Sequence, residues 1–223
     1  MKRDSNILII GGSSGLGFEI ANLLSGQDTI FITGRRNPEK NNLKFIQLDL
    51  AGEESFSTKL DLFVDRLPII NLLIYAAGFY QEGSISDLND SAIFDMNAVG
   101  LLAPALLVQK LLKKQDALAG FIAITSTSQW TPRPLEPVYA AVKAGLGMFA
   151  HSISFDPKMG KVLVAGPSGM KTQFWTKTKK DTSGMLEPKW VAEQILNLFS
   201  DDFKYKFVRI LRGPARIEVV DQR

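Results

Sequence analysis

An α/β fold, a doubly wound and mostly parallel sheet of about seven strands flanked by helices, is predicted by three observations. Short apolar runs alternate with segments of helical periodicity along the chain. The runs carry no polar alternation, which is how parallel strands buried on both faces read. A glycine cluster, Gly11-Gly12-Ser13-Ser14-Gly15-Leu16-Gly17, joins the first run to the first helical segment, and regular βα alternation of this kind puts helices on both faces of one sheet.

Each element follows in order. Ile7-Leu8-Ile9-Ile10 is the first strand, stopped by two glycines, and a helix runs from about Leu16 to Leu24. Thr29 to Thr33 is a second strand, rich in β-branched residues, and Lys44 to Leu48 a third. A helix spans about Glu53 to Leu67 and is ended by Pro68; Asn71 to Tyr75 is the fourth strand. A long helix starts near Asp87 or Ala92 and reaches about Lys114, with a kink expected at Pro104. Phe121 to Thr125 is a fifth strand, Val138 to about Ile153 a helix, and Lys161 to Ala165 a sixth strand. Pro188 opens a helix to Phe199 from its favoured place in the first turn, and Phe207 to Leu211 is the last strand. The stretch from Gly166 to about Leu186 is the least structured. No repeat, low-complexity tract or linker divides the chain, so residues 1–223 are expected to form one domain.

Composition narrows the function. Hydrophobic residues are 45% and charged residues 22%, the balance of a soluble globular protein. No apolar stretch of roughly 18 residues is present, so no membrane span is expected. Met1-Lys2-Arg3-Asp4 leads into the first strand without a small-residue cleavage site, which argues against a secretory signal. The absence of cysteine excludes disulfides and thiolate metal sites and fits a cytoplasmic location. One histidine, His151, cannot build a His-rich metal centre. The formal charge of +3 is modest, and Lys171, Lys177, Lys179 and Lys180 read as a solvated loop rather than a nucleic-acid surface.

The chemistry sits in three places. Tyr139 and Lys143 are four apart on a helix and share a face, with Ser126 thirteen residues upstream at the mouth of the fifth strand. A cation beside a phenol favours phenolate, so Lys143 is expected to pull the Tyr139 pKa below its free value of about 10. The pair taken alone is also the pattern of an exposed helix face. The glycine loop lets the backbone turn tightly and offers a helix N-terminus to a pyrophosphate; its spacing, Gly-x-x-x-Gly-x-Gly, differs from Gly-x-Gly-x-x-Gly. After the second strand comes Thr33-Gly34-Arg35-Arg36, where NAD-preferring sites carry an acid. Two guanidinium groups there suit a 2′-phosphate, which favours NADP(H) while leaving NAD(H) possible. Gly11, Ala76, Ser126 and Pro167 all follow strands, so their loops converge on the sheet edge where such folds bind ligands.

Together these motifs resemble the short-chain dehydrogenase/reductase family, of the type with a single Rossmann-like domain. The resemblance covers nearly the whole chain: Gly11/Gly15/Gly17, Asp49-Leu50, Ala76-Ala77-Gly78, Asn97, Ser126, Tyr139/Lys143 and Pro167 to Thr172 occur in the family's order and spacing. It implies an oxidoreductase acting on a small carbonyl or alcohol substrate. Tyr139 would be its acid or base, Lys143 the residue that tunes Tyr139 and holds the nicotinamide ribose, and Ser126 the residue that positions the carbonyl. Asn97 would hold a water that relays protons from Lys143. Asp49 with Leu50 would lie at the adenine, and Ala76, Ala77 and Gly78 beside its ribose. Ser13, Ser14 and Leu16 would complete the phosphate loop. Pro167, Ser168, Gly169, Met170 and Thr172 would hold the carboxamide end. A homodimer or homotetramer, built on the helices bearing Asn97 and Lys143, is implied as well. Three departures are visible: Ile10 where a threonine is usual, Tyr75-Ala76 where two asparagines are common, and Pro167-Ser168 in place of Pro-Gly. Phe79, Tyr80, Gln129, Trp130, Phe174 and Trp175 are expected to line an apolar substrate pocket. An NADP(H) sensor without turnover and a sugar-nucleotide epimerase or dehydratase are the alternatives; intact Ser126, Tyr139 and Lys143 speak against the first, and the short segment after Thr172 against the second.

Overall fold

The computed structural model of the protein describes residues 5–26, 28–52, 56–176, 178 and 180–223. Its first half contains β1 (Asn6–Ile10), α1 (Gly15–Leu24), β2 (Thr29–Gly34), β3 (Lys44–Gln47), α2 (Phe56–Asp65), β4 (Leu72–Tyr75) and α3 (Asp90–Asn97). The second contains α4 (Ala103–Lys114), β5 (Leu118–Ile124), α5 (Pro137–Ile153), β6 (Met159–Pro167), α6 (Pro188–Ser200), β7 (Tyr205–Leu211) and β8 (Arg216–Gln222). One eight-stranded sheet has the order β3-β2-β1-β4-β5-β6-β7-β8. All neighbours pair in parallel except β7 with β8.

The alternation of side chains along a strand builds two cores from one run of four apolar residues. Leu8 and Ile10 point into the layer covered by α2, α4 and α5, among Leu60, Leu107, Leu111 and Leu146. Ile7 and Ile9 point into the opposite layer with Ile20 of α1 and Ile195 of α6. Each such fully buried aliphatic side chain is worth about 1.5–3 kcal/mol against exposure, so β1, enclosed on both faces, anchors the sheet. The strand order reverses beside it, between β1 and β4, and this opens a crevice at the carboxyl ends.

Two expectations change, and the start of one helix falls outside the described residues. The sheet has an eighth strand, β8, which pairs with β7 from Lys206↔Gln222 to Leu211↔Arg216. It is an edge strand, mostly exposed and carrying Arg216, Glu218 and Asp221, so it lacks the apolar run that marks the others. The long helix is interrupted before Pro104: a π turn at Ala98–Leu102 separates α3 from α4, and Ala103 N–H reaches back to Ala98 O. Pro104 then sits in the first turn of α4, directly after the π turn. The helix expected from Glu53 begins, among the described residues, at Phe56, Glu53 itself lying outside them. The run Asp90–Lys114 is long and apolar enough by length and composition to cross a bilayer, and its Leu107, Val108 and Leu111 are buried in the core beside the sheet.

Candidate active site

The carboxyl ends of the strands enclose a cleft of about 1000 Å³. Gly11, Ser13, Ser14, Gly15 and Leu16 line it from the first loop, Arg35 and Arg36 from the end of β2, and Asp49 and Leu50 from the end of β3. Ala76, Ala77 and Gly78 line it after β4, Ser126 after β5, and Tyr139 and Lys143 from α5. Pro167, Ser168, Gly169, Met170 and Thr172 complete the wall beyond β6. Gly17 and Asn97 stand apart from the lining: Gly17 is buried in the first turn of α1, and the exposed Asn97 side chain donates to Ile93 O at 2.9 Å. Val99, in the π turn two residues on, reaches the cleft instead.

At the glycine loop, backbone packs on backbone. Gly11 has φ +80, and a Cβ there would lie 2.7 Å from the Cα and N of Ala77. A Cβ on Gly17 would lie 2.4 Å from Gly11 O, so this glycine seats α1 against the loop rather than touching the cleft. The Gly11 N–H donates to the buried Thr33 hydroxyl at 3.2 Å, so a threonine on β2 holds the loop although Ile10 stands where one is usual. Tyr75, one of the other departures, is fully buried and its hydroxyl donates to Val99 O inside the π turn.

The cleft fits a dinucleotide. Ser14 caps α1 with extended backbone and no side-chain bond, and the first turn holds no acid, so its N–H groups are left to a bound anion. A Cβ on Gly15 would fill the gap to Thr172, reaching within 3.5 Å of its Cγ2. Arg35 and Arg36 are exposed on the rim, free to meet a phosphate. Asp49 accepts from Ala51 N at 3.1 Å, which shapes the turn at that wall.

At the other end, Tyr139 and Lys143 are 8% and 4% exposed. Lys143 Nζ donates to Ile124 O, the last carbonyl of β5, at 3.0 Å and lies 5.7 Å from the Tyr139 ring centroid. The sequence expectation for the phenol is corrected here. Burial pushes the Tyr139 pKa above its free value; the neighbouring Ser126 hydroxyl pulls it back in part, while Glu136 and Tyr80 push it further up. Burial also lowers Lys143, to about 8. Both shifts have one cause: taking a charge out of water costs more than this pair recovers by proximity. Ser126 Oγ accepts from Ser128 N–H at 3.2 Å on a 3₁₀ turn, Thr127–Gln129.

The aromatic wall is partly as expected. Phe79, Phe174 and Trp175 line the cleft, and Tyr80 packs edge-on against Tyr139 at 5.3 Å. Trp130 stacks instead under Arg209, 4.7 Å from its ring centroid, and Gln129 packs against Gly147. Sequence reasoning missed Ser128, Arg133, Glu136 and Lys180, all of which line the cleft. Lys180 is not part of a solvated lysine cluster: its Nζ lies 2.7 Å from both Glu136 Oε1 and Tyr80 OH. Lys171 of that cluster pairs on the surface with Glu187 at 2.6 Å, and Lys177 and Lys179 lie outside the described residues. The acid directly before a helix-opening proline, Glu136-Pro137, is the one signal in the chain that pointed towards this group.

A glycine loop at a helix N-terminus, an arginine-bearing rim and a Ser/Tyr/Lys end on one sheet edge define a nicotinamide-dependent oxidoreductase. The profile of the short chain dehydrogenases matches residues 5–183; the chain belongs to the short-chain dehydrogenase/reductase family and is an NAD(P)-dependent enzyme of it. It is 26% identical over 221 residues to the uncharacterized oxidoreductase DltE of Bacillus subtilis, covering 92% of this chain and 86% of that one. An uncharacterized oxidoreductase of Staphylococcus epidermidis is 25% identical over 203 residues, covering 85% of this chain and 88% of that protein. Among solved structures, a short chain dehydrogenase family protein of Francisella tularensis superposes with a TM-score of 0.79 at 18% identity, over 93% of this chain and 97% of that one. A short-chain dehydrogenase of Sphingobium yanoikuyae, in complex with NADPH, superposes with a TM-score of 0.76 at 18% identity, over 87% and 84%.

Proposed function

We propose that the protein is an NADP(H)-preferring reductase of small carbonyl compounds, and in reverse an alcohol dehydrogenase, with Ser126, Tyr139 and Lys143 at the reacting end. The observation that carries this reading is the convergence of Ser126, Tyr139 and Lys143 on one cleft, with the buried Lys143 Nζ 5.7 Å from the Tyr139 ring centroid. Arg35 and Arg36 support the preference for the phosphorylated cofactor, since paired guanidinium donors suit a 2′-phosphate. The NADPH in the Sphingobium protein is consistent with it.

A bound nicotinamide supplies hydride to the carbonyl carbon, or takes it from the alcohol. Ser126 Oγ and Tyr139 OH hold the carbonyl oxygen between them and so stabilise the charge that develops there. Tyr139 gives its proton to that oxygen as it becomes an alkoxide. Its raised pKa keeps the phenol protonated through neutral pH, the form that reduction needs. Lys143, lowered to about 8, exchanges protons near neutrality and restores the phenol from behind; it would also hold the ribose of a bound nicotinamide cofactor. Phe79, Phe174 and Trp175 keep water from the carbonyl.

The test is a parallel titration with NADPH and NADH, followed by a carbonyl screen of wild type and Tyr139→Phe. Tyr139→Phe is expected to bind NADPH as wild type does and to lose about 10²–10⁴-fold in turnover, the range for one acid group. Retained turnover removes Tyr139 as the proton donor, and binding of neither cofactor removes the reading as a whole.

A further inference from the structure

A buried carboxylate sits one step behind the serine of the site. Glu136, the residue before α5, is 8% exposed. Its Oε2 accepts the Ser128 hydroxyl proton at 2.8 Å, and Ser128 N–H donates to Ser126 Oγ at 3.2 Å. The Ser128 proton is thereby committed to Glu136, so Ser128 Oγ faces Ser126 Oγ only as an acceptor, at 3.4 Å. A bond that long is weak. The Ser126 oxygen is fixed from behind by the Ser128 amide, while its own proton remains available to a stronger acceptor such as a carbonyl oxygen gaining charge.

A buried carboxylate needs a partner, and the partner comes from the loop beyond β6. Lys180 Nζ lies 2.7 Å from Glu136 Oε1 and 2.7 Å from Tyr80 OH, with Glu82 Oε1 at 3.5 Å. The ammonium packs over the rings of Tyr80 and Trp175, 4.9 and 5.2 Å from their centroids. Burial raises the Glu136 pKa, but bonds from Lys180 and Ser128 more than offset this, and the carboxyl sits below its ordinary range. The same loop carries Phe174 and Trp175 into the cleft. Lys180 therefore ties three things together: the loop, the segment after β4, and the carboxylate behind Ser126.

We propose that Glu136 is a positioning residue for Ser126, acting through Ser128, and that Lys180 docks on Glu136 when its loop lies over the cleft, so that loop closure and the ordering of Ser126 are one event. With Lys180 withdrawn, Glu136 keeps only the Ser128 hydroxyl and the more distant charge of Arg133, turns towards water and releases the Ser128 hydroxyl. The substrate loop is then felt at Ser126 without touching it. This inference rests on the oxidoreductase reading for its kinetic arm only.

The experiment compares Lys180→Met, Ser128→Ala and the double variant in two readouts. The first is turnover of 9,10-phenanthrenequinone with NADPH; the second is amide hydrogen exchange of segments 126–131 and 171–176. Lys180→Met and Ser128→Ala are each expected to lower kcat roughly tenfold with NADPH affinity unchanged, a fraction of the ~10²-fold that a misplacement of about 1 Å can cost. The double variant is expected to be no slower than Ser128→Ala, because both changes act along one chain. Lys180→Met is also expected to speed exchange at 126–131, which Lys180 does not touch. Exchange confined to the loop, or a double variant slowed by the product of the single effects, overturns the proposal. Wild type that binds no NADPH overturns the oxidoreductase reading instead, and the exchange arm still decides the coupling.

Discussion

Lys143 holds an ammonium in a place that penalises it, and the penalty is readable as a pH dependence. Its pKa falls from 10.5 to about 8 because the side chain is enclosed. The folded value lies below the unfolded one, so between pH 8 and 10.5 the unfolded chain binds more protons than the folded one. Stability contributed at this position therefore rises with pH across that window. At about 1.4 kcal/mol per pKa unit, the handicap at pH 7 is roughly 3 kcal/mol, and about 2–3 kcal/mol of it is recovered by pH 10. Lys143→Met removes the titrating group. It also removes the bond to Ile124 O, but that loss is nearly independent of pH. Urea unfolding of both proteins at pH 7 and pH 10 isolates the linkage, since every other group that titrates in this range is common to the two. The wild type is expected to gain about 2–3 kcal/mol on the variant between the two pH values. Parallel stabilities at both would mean that Lys143 is charged in the fold at no cost, and the argument from burial would fail. Turnover of Lys143→Met at neutral pH is expected to be largely lost, making this lysine a group that trades stability for function.

Two further outcomes test other parts of the structure. Arg35→Ser with Arg36→Ser is expected to weaken NADPH binding by about 10²–10⁴-fold and to leave NADH within a few-fold, since charged hydrogen bonds contribute about 1.5–3 kcal/mol each; equal weakening of both cofactors in a fluorescence titration would take these arginines off the 2′-phosphate. Tyr75→Phe takes the donor from Val99 O and is expected to cost about 1–3 kcal/mol in urea unfolding with an unchanged m value. No loss would mean that the π turn holds without it.

How much of this was legible depended on range. β1, β4, β5 and β6 read directly because they are enclosed on both faces and so uniformly apolar. β8 did not: one side is solvent, the other a single neighbour, and its charges hide the pattern. The π turn left no signal either, because the periodicity of Asp90–Lys114 is helical on both sides of it and Pro104 drew the expected break to the wrong turn. Most of the cleft was found from strand ends, since loops after parallel strands must converge. Ser128 and Lys180 escaped because nothing local marks them, and Glu136 offered only its place before Pro137; Lys180 meets Glu136 across 44 positions of sequence.

The sequence by itself determined the doubly wound class, the glycine loop, the Tyr139/Lys143 spacing and the arginines after β2. Periodicity and strand-to-loop junctions are short-range properties, and one segment at a time suffices to read them. Only the tertiary structure decided the protonation balance of the site and what stands behind Ser126. The phenol that a lone Tyr-x-x-x-Lys pair would acidify is raised, because burial acts on it from all sides and the ammonium is turned to Ile124 O. Solvent exclusion is a property of the whole fold, and no spacing of residues encodes it.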